Sequence, residues 1–261
     1  MFQGFNIEKL DFKDFADFYK KGYAIYDETK KCIDLKLSFL KDGILDAEKI
    51  QSDWFPDIKA DVFLSHSHAD KNLAIAFSGW LKEKFGLCSF VDSCLWGYCD
   101  ELLKIIDNKF CKNDNGIYDY KSRNVSTGIV HMILMNAITK MIDKTECLMF
   151  LNTPNSIVLE NDISQKTYSP WIFSELETSR FIRKIIPNRL EKRIKDSTKF
   201  LSAINESQLI VAFPANTSHL IKLDNKDLTN WCKSYSLCNN YLSYKKECPL
   251  NYLYKMKNVI K

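Results

Sequence analysis

The chain has 261 residues, of which 46% are hydrophobic and 27% charged. This is the balance of a soluble globular protein and the length of one large domain, or of one ordinary domain with an extension. Its 37 basic and 33 acidic side chains leave a net charge of +4, too small an excess to call for nucleic acid or another polyanion as a partner. The 8 glycines include no pair separated by a single residue, which excludes a G-x-G-x-x-G fingerprint and a P-loop.

Residues 1–58 read as helical. Phe12, Phe15 and Tyr19 recur at helical spacing before Gly22, and Tyr26, Thr29, Ile33, Leu37 and Leu40 before Gly43. Two helices in a hairpin are expected, closed by Pro56. Residues 60–65 (ADVFLS) are a short apolar run feeding the polar loop 66–70, a buried strand by its composition. Leu73, Phe77, Trp80, Leu81 and Phe85 then share one helical face, with Ser67 and Asp70 placed to cap it. A strand at 88–91, an amphipathic helix carrying Leu102, Leu103, Ile106 and Phe110, a helix at 129–142 and a strand at 146–151 continue the alternation. Ser169 suits an N-cap and Pro170 the first position of a further helix, and 207–213 reads as a last strand ending at Pro214. From 224 onward Leu228, Trp231, Cys232, Tyr235, Leu250, Leu253 and Tyr254 suggest a helical tail.

Strand–helix alternation of this kind predicts an α/β fold, a parallel sheet with helices on both faces. The expected domain spans 59–214, with a helical extension at 1–58 and a helical tail at 215–261. Ligands of such sheets bind beyond the carboxyl ends of the strands, where Asp70, Asp92 and Asn152 fall. Nine cysteines with no C-x-x-C pair, and four histidines not grouped with them, give no zinc pattern. His66 and His68 lack a third ligand nearby, so no metal is expected. The start of the chain lacks the basic and apolar regions of a signal peptide, which predicts a cytoplasmic protein. The longest uncharged stretch, 124–139, is shorter than the ~20 residues of a membrane helix.

The segment 169–176 (SPWIFSEL) carries the chemistry. In a helix starting at Pro170, Trp171 and Glu175 are neighbours on one face, while Ile172 and Leu176 form a second stripe. One stripe can bury itself while the other looks into a cleft, an aromatic plate beside a carboxylate that suits a sugar joined to a flat base. The same pattern also fits a surface glutamate beside a packing tryptophan.

This segment resembles the S-x-W-C-x-x-E-L motif of Toll/interleukin-1 receptor (TIR) domains that cleave NAD, with Ile172 in the cysteine position. Residues 60–70 resemble the first strand and loop of that family, and 90–93 followed by 94–100 its second strand and BB loop. Over 59–214 the chain is most similar to the stand-alone bacterial TIR enzymes of Thoeris-type antiphage defence. The resemblance implies a flavodoxin-like, doubly wound sheet of five parallel strands in the order 2-1-3-4-5. It implies Glu175 as the catalytic group and, around the ligand, Ser65, His66, Asp70, Asp92, Trp96 and Trp171. NAD+ is then a substrate and no cofactor is needed. The product would be ADP-ribose, a cyclic isomer or a conjugate, acting as a signal on a separate effector protein, and the enzyme would self-associate through TIR contacts near 94–100. The residues 153–168 form an insert in this comparison and are a candidate lid. Two other readings fit parts of the pattern: a non-catalytic TIR scaffold, and an N-glycosidase of the nucleoside deoxyribosyltransferase or hydrolase kind.

Overall fold

The computed structural model describes residues 1–12, 14–31, 40–41, 44–55, 58–160, 164–191, 212–241 and 247–260. Five strands make the central sheet: β1 (Gln3–Glu8), β2 (Val62–Ser65), β3 (Ser89–Val91), β4 (Cys147–Asn152) and, beyond a peripheral hairpin of β5 (Val158–Glu160) and β6 (Ser164–Thr167), β7 (Ile221–Leu223). All neighbours run parallel in the order β3-β2-β4-β1-β7. The middle strands are buried on both faces, as parallel strands covered by helices must be, which is why VFLS and CLMFL are continuous apolar runs. Successive side chains serve opposite layers. Val62 and Leu64 join the core formed with α1 (Phe15–Lys31), α3 (Lys71–Phe85), α7 (Asn225–Tyr241) and α8 (Pro249–Met256). Phe63 joins the core formed with α2 (Ala47–Trp54), α4 (Ser93–Phe110), α5 (Tyr120–Lys144) and α6 (Pro170–Phe181). The α/β class and the five-stranded parallel sheet with helices on both faces are thus as expected.

The membership of the sheet differs from the expectation in two places. The N-terminal segment is not wholly helical: β1 lies inside the sheet, paired along its length with β4 and on its other side with β7. The tail likewise supplies β7, so neither 1–58 nor 215–261 stands outside the sheet as a purely helical extension. The three strands β3, β2 and β4 keep the relative places of the predicted 2-1-3. The remaining two places are taken by β1 and β7, giving 3-2-4-1-5 in chain order. Of the strand predicted at 207–213, residues 207–211 lie outside the described residues. Phe213–Pro214 pairs antiparallel with β6 and extends the β5–β6 hairpin into a small separate sheet.

Gly22 does not end a helix. It lies inside α1, where a Cβ would fall 1.8 Å from the Ile75 carbonyl oxygen, and a Cβ on Gly79 of α3 would fall 2.0 Å from that of Phe18. The two glycines let the α1 and α3 backbones touch. The segment expected as a BB loop, 94–100, is the start of α4 instead: the chain turns directly from β3 into helix at Asp92 and Ser93.

Candidate functional site

The carboxyl ends of β2 and β3 and the second turn of α6 converge. β2 delivers Ser65 and His66, both buried. β3 delivers Asp92, which occupies the N-cap position of α4 at 2% exposure. α6 is started by Ser169, whose hydroxyl accepts the Ile172 amide at 3.3 Å, with Pro170 in the first turn. That start fixes the phase of the helix, burying Ile172 and Leu176 in the core and bringing Glu175 beneath the strand ends.

Glu175 was expected to look into a cleft. It is 1% exposed, its carboxylate turned inward to Ser65 and Asp92. The Ser65 hydroxyl donates to Oε2 at 2.6 Å, and Oε1 has no hydrogen-bond partner among the described residues. Burial pushes this carboxyl well above the usual carboxylate range, the nearby Asp92 carboxylate adds to the rise, and the Ser65 hydroxyl pulls the other way. Two carboxylates therefore abut here, with His66 set against one of them, Asp92.

His66 Nδ1 lies 2.8 Å from Asp92 Oδ1 and 3.3 Å from the Leu64 carbonyl oxygen. A carbonyl can only accept, so Nδ1 carries its proton. The N–H is aimed at the carbonyl, and the carboxylate contact is chiefly one of charge, since Oδ1 has no aligned donor among the described residues. Burial opposes protonation of the ring, but Asp92, the Leu64 carbonyl and Asp70 together outweigh it and raise the pKa of His66 above its ordinary value.

Above this buried cluster lies a cavity of about 250 Å³. Asp92, Ser93 and Asp100 line it from α4, His66 and His68 from the loop after β2, and Ser169 and Trp171 from the start of α6. Trp171 is half-buried and meets His131 of α5 edge-on, with ring centroids 5.5 Å apart. Three of the predicted residues, His66, Asp92 and Trp171, thus face one cavity, while Glu175 and Ser65 sit behind Asp92.

Asp70 is engaged elsewhere. It neither caps α3 nor lines the cavity: its carboxylate accepts from Thr153 Oγ1 and, at 2.8 Å, from Asn155 Nδ2. It ties the loop after β4 to the turn after β2, fixing the root of the 153–168 insert. For Trp96, the backbone belongs to α4 and the side chain lies outside the described residues.

Asp100, His68, Ser93 and Ser169 were not singled out as ligand-facing residues by sequence reasoning. Read as a loop, 94–100 hides the relation of Ser93 to Asp100. Read as a helix, they stand seven apart, two turns on one face, so the helical phase of α4 was the available signal. Among the described residues no group of three His, Cys, Asp or Glu side chains is placed to hold a metal ion. Comparison with known protein families, curated proteins and solved structures returns no match.

Proposed function

We propose that this protein is an N-glycosidase that cleaves the nicotinamide–ribose bond of NAD+. The observation that carries the proposal is the abutting pair Glu175 and Asp92, buried at the carboxyl ends of parallel strands under a cavity, with His66 set against Asp92 and Glu175 Oε1 left without a hydrogen-bond partner among the described residues. Buried carboxyl groups whose pKa is strongly perturbed cluster where chemistry is done. A cationic ligand would offset the charge that one histidine leaves on two carboxylates. The resemblance of 60–70, 90–93 and 169–176 to NAD-cleaving TIR domains points the same way.

The chemistry follows from the substrate. The nicotinamide ring of NAD+ is a pyridinium, so the bonding pair of the C–N bond returns to the ring nitrogen and the base departs neutral, without a general acid. Positive charge passes to the ribose, as in the oxocarbenium-like transition state of glycosidases. Negative charge held in place under the cavity favours that state more than the ground state, which is the condition for catalysis. A cation in the cavity also counters the rise in the Glu175 pKa, so substrate binding and proton release are linked. Ser65 holds one oxygen of Glu175, and Trp171 offers an apolar wall. The cavity, at about 250 Å³, is below the ~300–1,000 Å³ of sites that enclose whole drug-sized ligands. It suits the nicotinamide–ribose end of the dinucleotide, with the diphosphate and adenosine outside.

A second reading has its own support. A proton resident on Glu175 would let the pair protonate an uncharged base, as hydrolysis or transfer of ordinary nucleosides requires. Purified protein incubated separately with NAD+, ribonucleosides and deoxynucleosides, with products identified by mass spectrometry, separates the two. The expected result is free nicotinamide from NAD+ and no base from nucleosides. The reverse pattern would transfer the assignment to a nucleoside N-glycosidase.

A further inference from the structure

Away from the candidate site, a second cavity of about 330 Å³ opens between α4 and α5. Leu45, Ile106, Phe110, Val125 and Ile129 make its walls apolar. Phe110 and Ile129 are each 42% exposed and Val125 57%, so the described chain leaves this surface wet. Apolar side chains gathered around a concavity of this size have the form of a small-ligand site. The polar groups on the wall narrow the ligand further. The Ser122 hydroxyl donates to Asp119 at 2.6 Å. That of Ser126 donates to Asp107 at 2.5 Å and receives the Cys111 thiol at 3.7 Å. These protons are already committed. Lys121, at the rim, is different: among the described residues its ammonium has no hydrogen-bond or ion-pair partner, and no carboxylate lines the cavity. It stands in the first turn of α5, at the positive end of the helix dipole, where a cation does nothing for the helix itself. A ligand entering here meets apolar walls and one uncommitted cation.

We infer that this cavity binds a free medium-chain fatty acid, with the alkyl chain between α4 and α5 and the carboxylate held by Lys121. Charge selects the head group: a single lysine matches a single carboxylate, and a cationic amphiphile would meet it with repulsion. Volume selects the tail. Benzene fills a cavity of ~150 Å³, roughly 25 Å³ per carbon, so about 330 Å³ holds one chain of about ten to thirteen carbons and not the two chains of a phospholipid. The committed hydroxyls of Ser122 and Ser126 give a sugar or nucleotide no donors to use, which leaves the alkyl chain as the part that binds. The inference does not depend on what the cavity beside Trp171 binds.

The test is calorimetric titration of the full chain with hexanoate, octanoate, decanoate, dodecanoate and tetradecanoate, each below its micelle-forming concentration. Saturable binding is expected, tightening by about fourfold for each added methylene until the chain fills the cavity and levelling off beyond about thirteen carbons. Lys121→Glu should weaken decanoate by about tenfold and tighten decyltrimethylammonium, which has a similar tail and the opposite charge. Val125→Trp should fill the cavity and remove binding of both. Lys121 and Val125 are exposed, so melts of the unliganded variants should match the wild type and exclude misfolding as the cause. A wild type without saturable decanoate binding overturns the inference, as does binding that both substitutions leave unchanged. Affinity that climbs steadily through tetradecanoate overturns it too, since adsorption without a bounded cavity behaves that way. Decyltrimethylammonium bound as tightly as decanoate overturns the role of Lys121. Flotation of the wild type with phosphatidylcholine vesicles, in the absence of decanoate binding, would assign the apolar surface to a membrane instead.

Discussion

Glu175 and Asp107 are both carboxylates with almost no accessible surface, 1% and 3% exposed, and they are built in opposite ways. Asp107, on α4, receives Arg123 Nε at 2.8 Å and the Ser126 hydroxyl at 2.5 Å from α5. Burial alone would raise its pKa, but these donors reverse the balance and hold it below the ordinary carboxylate value. Among the described residues Glu175 has one hydroxyl donor, a second carboxylate for a neighbour and an oxygen without a hydrogen-bond partner, and it is held well above that value. Satisfied, a buried carboxylate joins two helices. Left unsatisfied, it weakens the fold that contains it, and the arrangement makes physical sense where a ligand completes it.

The comparison is broken or upheld first at Glu175. Glu175→Gln keeps shape and hydrogen bonding and removes the ionisable group. Nicotinamide release should fall by about a hundredfold to a thousandfold or more, the usual effect of deleting one preorganised stabilising group. Its melting temperature at neutral pH should rise, because the amide has no ionised form to bury. A gain of about 1–3 kcal/mol corresponds to roughly 2–4 °C per kcal/mol for a chain of this size. Lost turnover with lost stability would make Glu175 an ordinary structural residue.

Asp107→Ala should behave inversely. It removes the partner of two donors across the α4–α5 contact, costing about 1–3 kcal/mol. The lower end is expected, because the Arg123 side chain is 49% exposed and water recovers part of its interaction. Nicotinamide release per folded molecule should stay near the wild-type level, since Asp107 does not line the cavity proposed for substrate. Calorimetry beside the activity assay checks both. A large loss of turnover at unchanged stability would show that the two carboxylates are not opposites.

How much of this was legible from the chain depends on the range of the interactions. β2, β3 and β4 announce themselves as apolar runs bounded by polar loops, because a strand buried on both faces must be apolar along its length. β1, QGFNIE, and β7, IKL, carry no such signal. They become strands through pairings such as Phe5 with Ile221 and Gln3 with Cys147, between segments far apart in sequence. The helical start at Ser169 and the buried stripe of Ile172 and Leu176 were legible for the same local reason as β2. That Glu175 turns inward to Ser65 was not, since the contact joins residues 110 apart. Asp70 reads in sequence as a cap or a ligand contact. Its actual partners, Thr153 and Asn155, lie 83 and 85 residues away, where spacing gives no warning.

The smallest effect expected is a difference in the pH dependence of stability, and it tests the contrast most directly because the two signs are opposite. For Asp107 the folded value lies below the ordinary 3.8, so the unfolded chain takes up its proton first as pH falls. Its stabilisation is present above about 3.8 and is lost as pH drops through the folded value. For Glu175 the folded value lies above the ordinary 4.5, so the folded chain holds the proton where the unfolded chain has released it. Stability associated with the protonated form is present below about 4.5 and is lost as pH rises from there toward the folded value. Melting curves of the wild type, Glu175→Gln and Asp107→Asn across the acid and neutral range should therefore diverge in opposite directions. Glu175→Gln should match the wild type in acid and gain on it as pH rises. Asp107→Asn should approach the wild type only in strong acid and fall behind it above. Parallel curves for Glu175→Gln and wild type would mean that Glu175 ionises as freely in the folded chain as in the unfolded one. The buried pair with Asp92 would then have no charge conflict for the proposed cationic substrate to relieve.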